Sequence, residues 1–228
     1  MRKRPLAGAV VGIAVLVLIG AAGYTAYAGG SVYHSLDSGR QELVAAQTTM
    51  KNAGRSADVS QLDAALAELK RAERDFDDAK ARAQGDPALR LVGGVPAAGQ
   101  QVDGSAHLAA IGADLSRAGE AAAVVAIQVA TLRNKYAGHP LTADDLQAIL
   151  EQAQAIVKTY SGSIQAIGQE LRAAHGERAQ VTTTDLVPPM RNAYDAVDRA
   201  LTDADTAFLR YQDVRQVLSD LLGVQLPA

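Results

Sequence analysis

Four histidines, His34, His107, His139 and His175, are the side chains best suited to holding a transition metal or moving protons near neutral pH. Their setting argues against both roles. None has a glutamate three residues before it, so the Glu-x-x-His ligand pair of di-metal helical bundles is missing, and none falls in H-E-x-x-H. The chain contains no Cys, so a zinc site would have to be assembled from scattered His, Asp and Glu. No metal ligand, catalytic residue or cofactor-binding residue is assigned, and no cofactor is expected.

The acidic run Glu73, Asp75, Asp77 and Asp78 is the other feature with the chemistry to hold a cation. It lacks the D-x-[DN]-x-[DN]-G loop and bidentate Glu of a calcium site. Arg71, Arg74, Lys80 and Arg82 lie close enough in sequence to neutralise it, so it reads as the solvated, salt-bridged face of a helix. Nucleophilic catalysis has no visible apparatus: G-x-S-x-G and S-x-x-K are both absent, and Gly93, Gly94 and Gly99 match no phosphate-binding loop. Tyr136, Tyr160, Tyr194 and Tyr211 fall on apolar stripes, where core packing with the hydroxyl at the edge competes with a ligand slot between helices. The chain is therefore not expected to be an enzyme.

The elements that position these residues are organised around Leu6 to Ala28. These 23 residues carry no charge, and at about 1.5 Å per residue they span roughly 35 Å as a helix, enough to cross a hydrocarbon core of about 30 Å. Arg2, Lys3 and Arg4 flank the N-terminal side, so the N-terminus is expected in the cytoplasm and the C-terminus outside. That divides the chain into a cytoplasmic basic flank (1–5), a transmembrane signal anchor (6–28) and an extracytoplasmic body (29–228), a single-pass membrane protein in contact with the lipid bilayer. The rival reading is a cleaved secretory signal, because Ala26-Tyr27-Ala28 has the small-x-small form accepted by a signal peptidase. The apolar run Leu6–Ala22 is longer than a usual signal core, which favours the anchor. Gly8 and Gly12 make a G-x-x-x-G pair that either lets two such helices approach or is simply tolerated in one.

Beyond the anchor, 19 basic residues face 25 acidic ones, a net charge of −6. That excess, with no basic stripe interleaved with aromatics, disfavours nucleic acid as a partner. There is no Trp and only two Phe, so the core must be built from close-packed helices rather than around aromatic side chains.

Heptad-like spacing predicts those helices. Val32, Leu36, Leu43 and Met50 continue outward to Gly54; Val59, Leu62, Leu66, Leu69, Phe76 and Ala83 form a coiled-coil-like seam over 58–84, with Ser60 and Asp63 as a capping box. The segment 85–99, with two prolines and four glycines, breaks the pattern and marks a bend or contact loop. A third helix is expected from Ala97 to Tyr136 on Leu108, Ile111, Leu115, Ala118, Ala122, Val125, Val129, Leu132 and Tyr136. Beside that stripe Gly112, Gly119 and Ala126 would let another helix come close, while Arg117 falls on the outer face. Gly138-His139-Pro140 turns the chain, and Thr142 with Asp145 caps a fourth helix that closes near Gly176. Pro188-Pro189 opens a fifth, which runs to about Leu222 before Gly223. The expected fold is all-α: a transmembrane helix, then an elongated antiparallel bundle of four to five long helices, roughly 40 to 60 Å in length.

A family resemblance accompanies this pattern. A membrane helix, then Leu62-Asp63-Ala64-Ala65 through Asp75-Phe76-Asp77-Asp78-Ala79, then Asp86-Pro87-Ala88-Leu89-Arg90-Leu91 and Pro96-Ala97-Ala98-Gly99, with a terminal Leu221-Leu222-Gly223, resembles the N-terminal region of the bacterial family called domain of unknown function 4012. The resemblance implies a helical region followed by a further extracytoplasmic domain, which would lie beyond Ala228; it transfers no functional residue.

The expected function is a structural or protein-interaction module of the cell envelope, meeting other envelope proteins or further copies of itself through its helices. The alternatives are a ligand-sensing ectodomain that works through a separate membrane partner, and a secreted helical protein after cleavage at Ala28.

Overall fold

A computed structural model describes residues 30–86, 89, 96–138, 140, 142–184, 186 and 188–212. The proposed anchor, its basic flank, the cleavage site, most of the segment 85–99, His139 and everything after Gln212 lie outside these residues. Among the described residues there are six α-helices and no strand: α1 Gly30–Ser56, α2 Val59–Gly85, α3 Pro96–Lys135, α4 Ala143–Thr159, α5 Ser161–Gln180 and α6 Pro188–Gln212. The all-helical bundle expected from the periodicity is present, and α6 does begin on Pro188, where the missing amide donor costs no helical hydrogen bond.

α1 and α2, α2 and α3, and α3 and α5 run antiparallel. Arg71 on α2 pairs with Glu42 on α1, Arg117 on α3 with Glu73 on α2, and Arg117 and His107 with Glu170 and Glu177 on α5. With Phe76 against Gly39 and Gly112 and Leu69 against Gly119, residue numbers in each couple fall on one helix as they rise on the other. α3 is the central element, packed by α2 and α5 with further contact from α1 and α6. At 40 residues it is about 60 Å long.

The core rests on small residues. Phe76 is completely buried between α1 and α3, and a Cβ added to Gly39 or Gly112 would lie 3.0 Å or 2.8 Å from its ring. A Cβ at Gly119 would stand 2.8 Å from Leu69. The close approach expected beside the α3 stripe is thus realised at Gly112 and Gly119. Ala126 joins Ala53, Ala57, Leu62 and Ala130 in a satellite cluster toward the bundle's tip.

Three local expectations are corrected. The N-cap of α2 is Asp58, whose Oδ1 accepts from the backbone N–H of Ser60 at 3.0 Å and of Gln61 at 3.2 Å, whereas Asp63 is exposed. The single helix expected from Thr142 to Gly176 is two helices that meet at Tyr160 (φ −100, ψ 18), and it continues to Gln180. Hydrogen bonds from Tyr160 N–H to Ile156 O (2.9 Å) and from Ile164 N–H to Tyr160 O (3.0 Å) cross the junction. The axis therefore bends rather than reverses. The local sequence Thr159-Tyr160-Ser161-Gly162-Ser163 contains only weak helix formers, and such Gly/Ser positions are where bends occur without proline.

The third correction concerns Arg117, described below. The Thr142 capping box forms as expected: Asp145 N–H donates to Thr142 Oγ1 at 3.2 Å, and Thr142 N–H donates to Asp145 Oδ2 at 2.9 Å. Gly138 takes the left-handed φ of +92° at the turn between α3 and α4.

Candidate functional site

The densest concentration of polar chemistry is a seam along α3 where α2 and α5 meet. It begins at Arg117. The preceding step of the α3 stripe, Leu115, is completely buried, and two residues further on Arg117 emerges between the flanking helices with a third of its side chain exposed. Its Nε donates to Glu170 Oε2 on α5 at 2.8 Å and its Nη1 to Glu73 Oε1 on α2 at 3.2 Å. Nη2 donates to Asp114 one turn back, and Asp77 lies 3.7 Å from Nη1. Burial works against the charged guanidinium, but Glu170, Asp114 and Glu73 outweigh it and raise its pKa, so it stays protonated.

The outer-face position read from periodicity is wrong for this residue, because helical spacing gives an angle around the axis and not the neighbour that occupies it. Arg117 binds two neighbouring helices at once. The acidic run behaves differently from expectation for the same reason. Glu73 and Asp77 turn toward Arg117, Arg71 forks onto Glu42 at 2.9 and 3.0 Å, and Lys80 reaches Glu177 at 3.8 Å. Glu73 and Asp77 are thus inter-helix ties, while Asp78 stays on the exposed face and Asp75 has Arg71 and Arg74 of its own helix beside it.

Glu120 lies one turn along α3. Burial first, then the adjacent carboxylate of Glu73, push its pKa up to about 7, with Lys70 and Arg117 opposing. Its Oε1 is buried with no hydrogen-bond partner among the described residues. Asp114 is also raised by burial, partly offset by Arg117. Carboxylates here outnumber cations, which favours the protonated form of the most enclosed of them.

Toward the other end of α3, His107 Nδ1 lies 2.7 Å from Glu177 Oε2, and the same carboxylate takes Lys80. Beside them a cavity of about 350 Å³ is lined by Ala83, Gln84, Leu89, Val102 and His107. His175 pairs with Asp205 on α6 at 2.7 Å. The histidines are thus held by single carboxylates on separate helices, His34 is exposed on α1, and His139 lies outside the described residues. Among the described residues no three or more His, Asp or Glu gather as metal ligands.

The tyrosines are likewise dispersed. Tyr136 Oη accepts from Gln152 Nε2 at 2.8 Å near the tip, with Lys135 5.3 Å from its ring centroid. Tyr160 sits half-buried at the bend. Tyr194 packs on the core under Arg178, 5.3 Å from its centroid, while the side chain of Tyr211 is outside the described residues. The two buried serines spend their hydroxyls on their own helix, Ser105 donating to Gln101 O and Ser116 to Gly112 O, each at 2.8 Å. Chemically, the seam holds helices together: its cation is saturated by carboxylates and its hydroxyls are committed.

No family model, curated protein or solved structure matches the chain.

Among the described residues one helix, Gly99–Lys135, is long and apolar enough to cross a membrane, with a mean hydropathy of 1.2 over its most apolar 18 residues. By length and composition alone this is weak evidence for a membrane location, since the core helix of a bundle passes the same test. Here 39% of that window is buried inside the bundle, and the same helix carries Asp114, Arg117 and Glu120 into contacts with its neighbours.

Proposed function

We propose that this chain is a membrane-anchored extracytoplasmic helical stalk, a structural or protein-interaction module of the cell envelope and not an enzyme. Leu6–Ala28 anchors it in the bilayer with the N-terminus inside, and the bundle stands outside.

The observation that carries the reading is how early the bundle starts. Val32 is 1% exposed and Leu36 5% exposed, so packing of the bundle starts in the first turns of α1, a few residues in sequence from the proposed anchor. That short separation in sequence keeps the body near the bilayer, as a stalk requires. The polar seam supports the same role, because its charged groups tie α2, α3 and α5 together along their length instead of converging on a reactive centre. The resemblance of Asp86–Leu91 and Pro96–Gly99 to the family called domain of unknown function 4012 agrees with an anchored helical region that supports something further out.

Membrane extraction tests the anchor. The full chain should stay in the pellet after alkaline washing, and a chain lacking residues 1–28 should appear in the soluble fraction with its helix content intact. Retention of the shortened chain in the pellet would transfer the membrane contact to Gly99–Lys135 and overturn the proposal.

A further inference from the structure

The cavity beside His107 lies where the last turn of α2 meets the first turns of α3, and its lining divides by chemistry. Ala83, Leu89, Val102 and Ala106 supply an apolar floor, each between 3% and 8% exposed. Leu89 is held in place through its N–H, which donates to Asp86 Oδ1 at 3.4 Å. Val102, Asp103, Ala106 and His107 follow one another along α3 at helical spacing, so a single face of that helix supplies most of the wall. A volume of about 350 Å³ falls within the range of about 300 to 1,000 Å³ typical of small-molecule sites, and at roughly 30 Å³ for a water-sized atom it has room for about twelve non-hydrogen atoms.

The polar part of the lining decides what such a molecule would carry. Asp103 is its one carboxylate, and it contains no Lys or Arg. Asp103 is exposed and makes no hydrogen bond or ion pair among the described residues. Lys80 is committed elsewhere, 3.8 Å from Glu177 Oε1, and the other oxygen of that carboxylate holds His107 Nδ1 at 2.7 Å. The tautomer in which Nδ1–H donates to Glu177 leaves His107 Nε2 as a hydrogen-bond acceptor. One negative charge and a fixed neutral acceptor above an apolar floor are the complement of a positively charged N–H donor on a compact hydrocarbon body.

We propose that this cavity is a binding site for a small organic ammonium ion, with Asp103 and His107 Nε2 accepting its N–H groups and Leu89, Val102 and Ala106 enclosing its apolar part. The site is distinct from the polar seam at Arg117 and owes nothing to the membrane anchor, so it stands or falls separately from the stalk.

Benzylamine is a suitable probe, and benzyl alcohol, of the same size without the charge, is its control. The full-length protein, labelled with carbon-13 at its four histidines and held in lipid nanodiscs, is titrated with each, and His107→Gln assigns the reporting ring signal. Benzylamine should move the His107 signal saturably while the other histidines stay in place. Asp103→Asn, a change at an exposed position, should weaken that binding on the order of tenfold, as the loss of a hydrogen bond to a charged group does, and benzyl alcohol should bind more weakly than benzylamine by a similar factor. A His107 signal that does not move at millimolar benzylamine, or equal movement of all the histidines, would overturn the proposal. Equal affinity for amine and alcohol, or unchanged affinity in Asp103→Asn, would overturn it as well.

Discussion

The ring of Phe76 on α2 lies against the bare backbone of Gly112 on α3, so close that a methyl group there would stand 2.8 to 2.9 Å from three ring atoms. This one relationship sets the spacing of the two helices. Gly112→Ala should therefore destabilise the bundle by about 1 to 3 kcal/mol through overpacking, against a helix-propensity gain of at most about 1 kcal/mol. Gly176→Ala, where nothing lies within 4 Å, should instead stabilise by roughly 0.5 to 1 kcal/mol. Thermal or urea unfolding of the two variants checks the opposite signs.

Arg117 gives a second contrast. Leu115→Asp buries a charge at a fully enclosed site and should cost several kcal/mol. Arg117→Asp removes the cation shared by Glu73, Asp114 and Glu170 and adds a fifth carboxylate to those around it, so it should cost roughly 2 to 4 kcal/mol. Val129→Asp, at a half-exposed site, should cost least of the three. A wild-type melting temperature for Arg117→Asp would mean that the guanidinium contributes nothing to holding the helices.

Much of this was legible in the sequence, and the failures have one physical origin. The 3-4 spacing from Leu108 to Tyr136 located α3 and its glycines correctly, because periodicity reports which residues share a face. Pro188, Gly138 and the Thr142 capping box were equally readable, since each acts within a few residues of itself. Arg117 was not, because its partners Glu73 and Glu170 lie 44 and 53 residues away and no local pattern names them. Apolar spacing continues through the bend at Tyr160 and hides it, and Ser60 mimics the cap because Asp58 two residues earlier offers the same chemistry. The polar seam was visible only as separate charges until the antiparallel register brought them together.

Glu120 should make stability depend on pH. Its carboxyl titrates near 7 in the folded protein against an ordinary value of 4.5. Between those values the folded state holds the extra proton, so stability falls as pH rises through this window, and the penalty is complete above it. Glu120→Gln should flatten that decline and stabilise the protein at pH 8 by roughly 1 kcal/mol once solvent screening is discounted. Asp114 is raised by burial as well and remains in both proteins, so the difference between their two curves isolates Glu120. Parallel melting curves from pH 4 to 8 would contradict the assignment.

The helix starts offer a local test. Thr142→Ala and Asp58→Ala each remove a side chain that accepts backbone N–H bonds; the first should cost about 1 kcal/mol, and the second should lower the melting temperature measurably. Asp63→Ala, exposed and outside the cap, should stay within about 0.5 kcal/mol of wild type. Equal losses at Asp58 and Asp63 would return the cap to Ser60.

The anchored stalk is tested most directly by the intact mass of the chain recovered from membranes, combined with protease treatment of intact cells. The account predicts a recovered chain that still carries residues 1–28, and digestion of the body from outside with the anchor 6–28 left in the bilayer. A mature N-terminus at Gly29, or a body untouched by external protease, would contradict it.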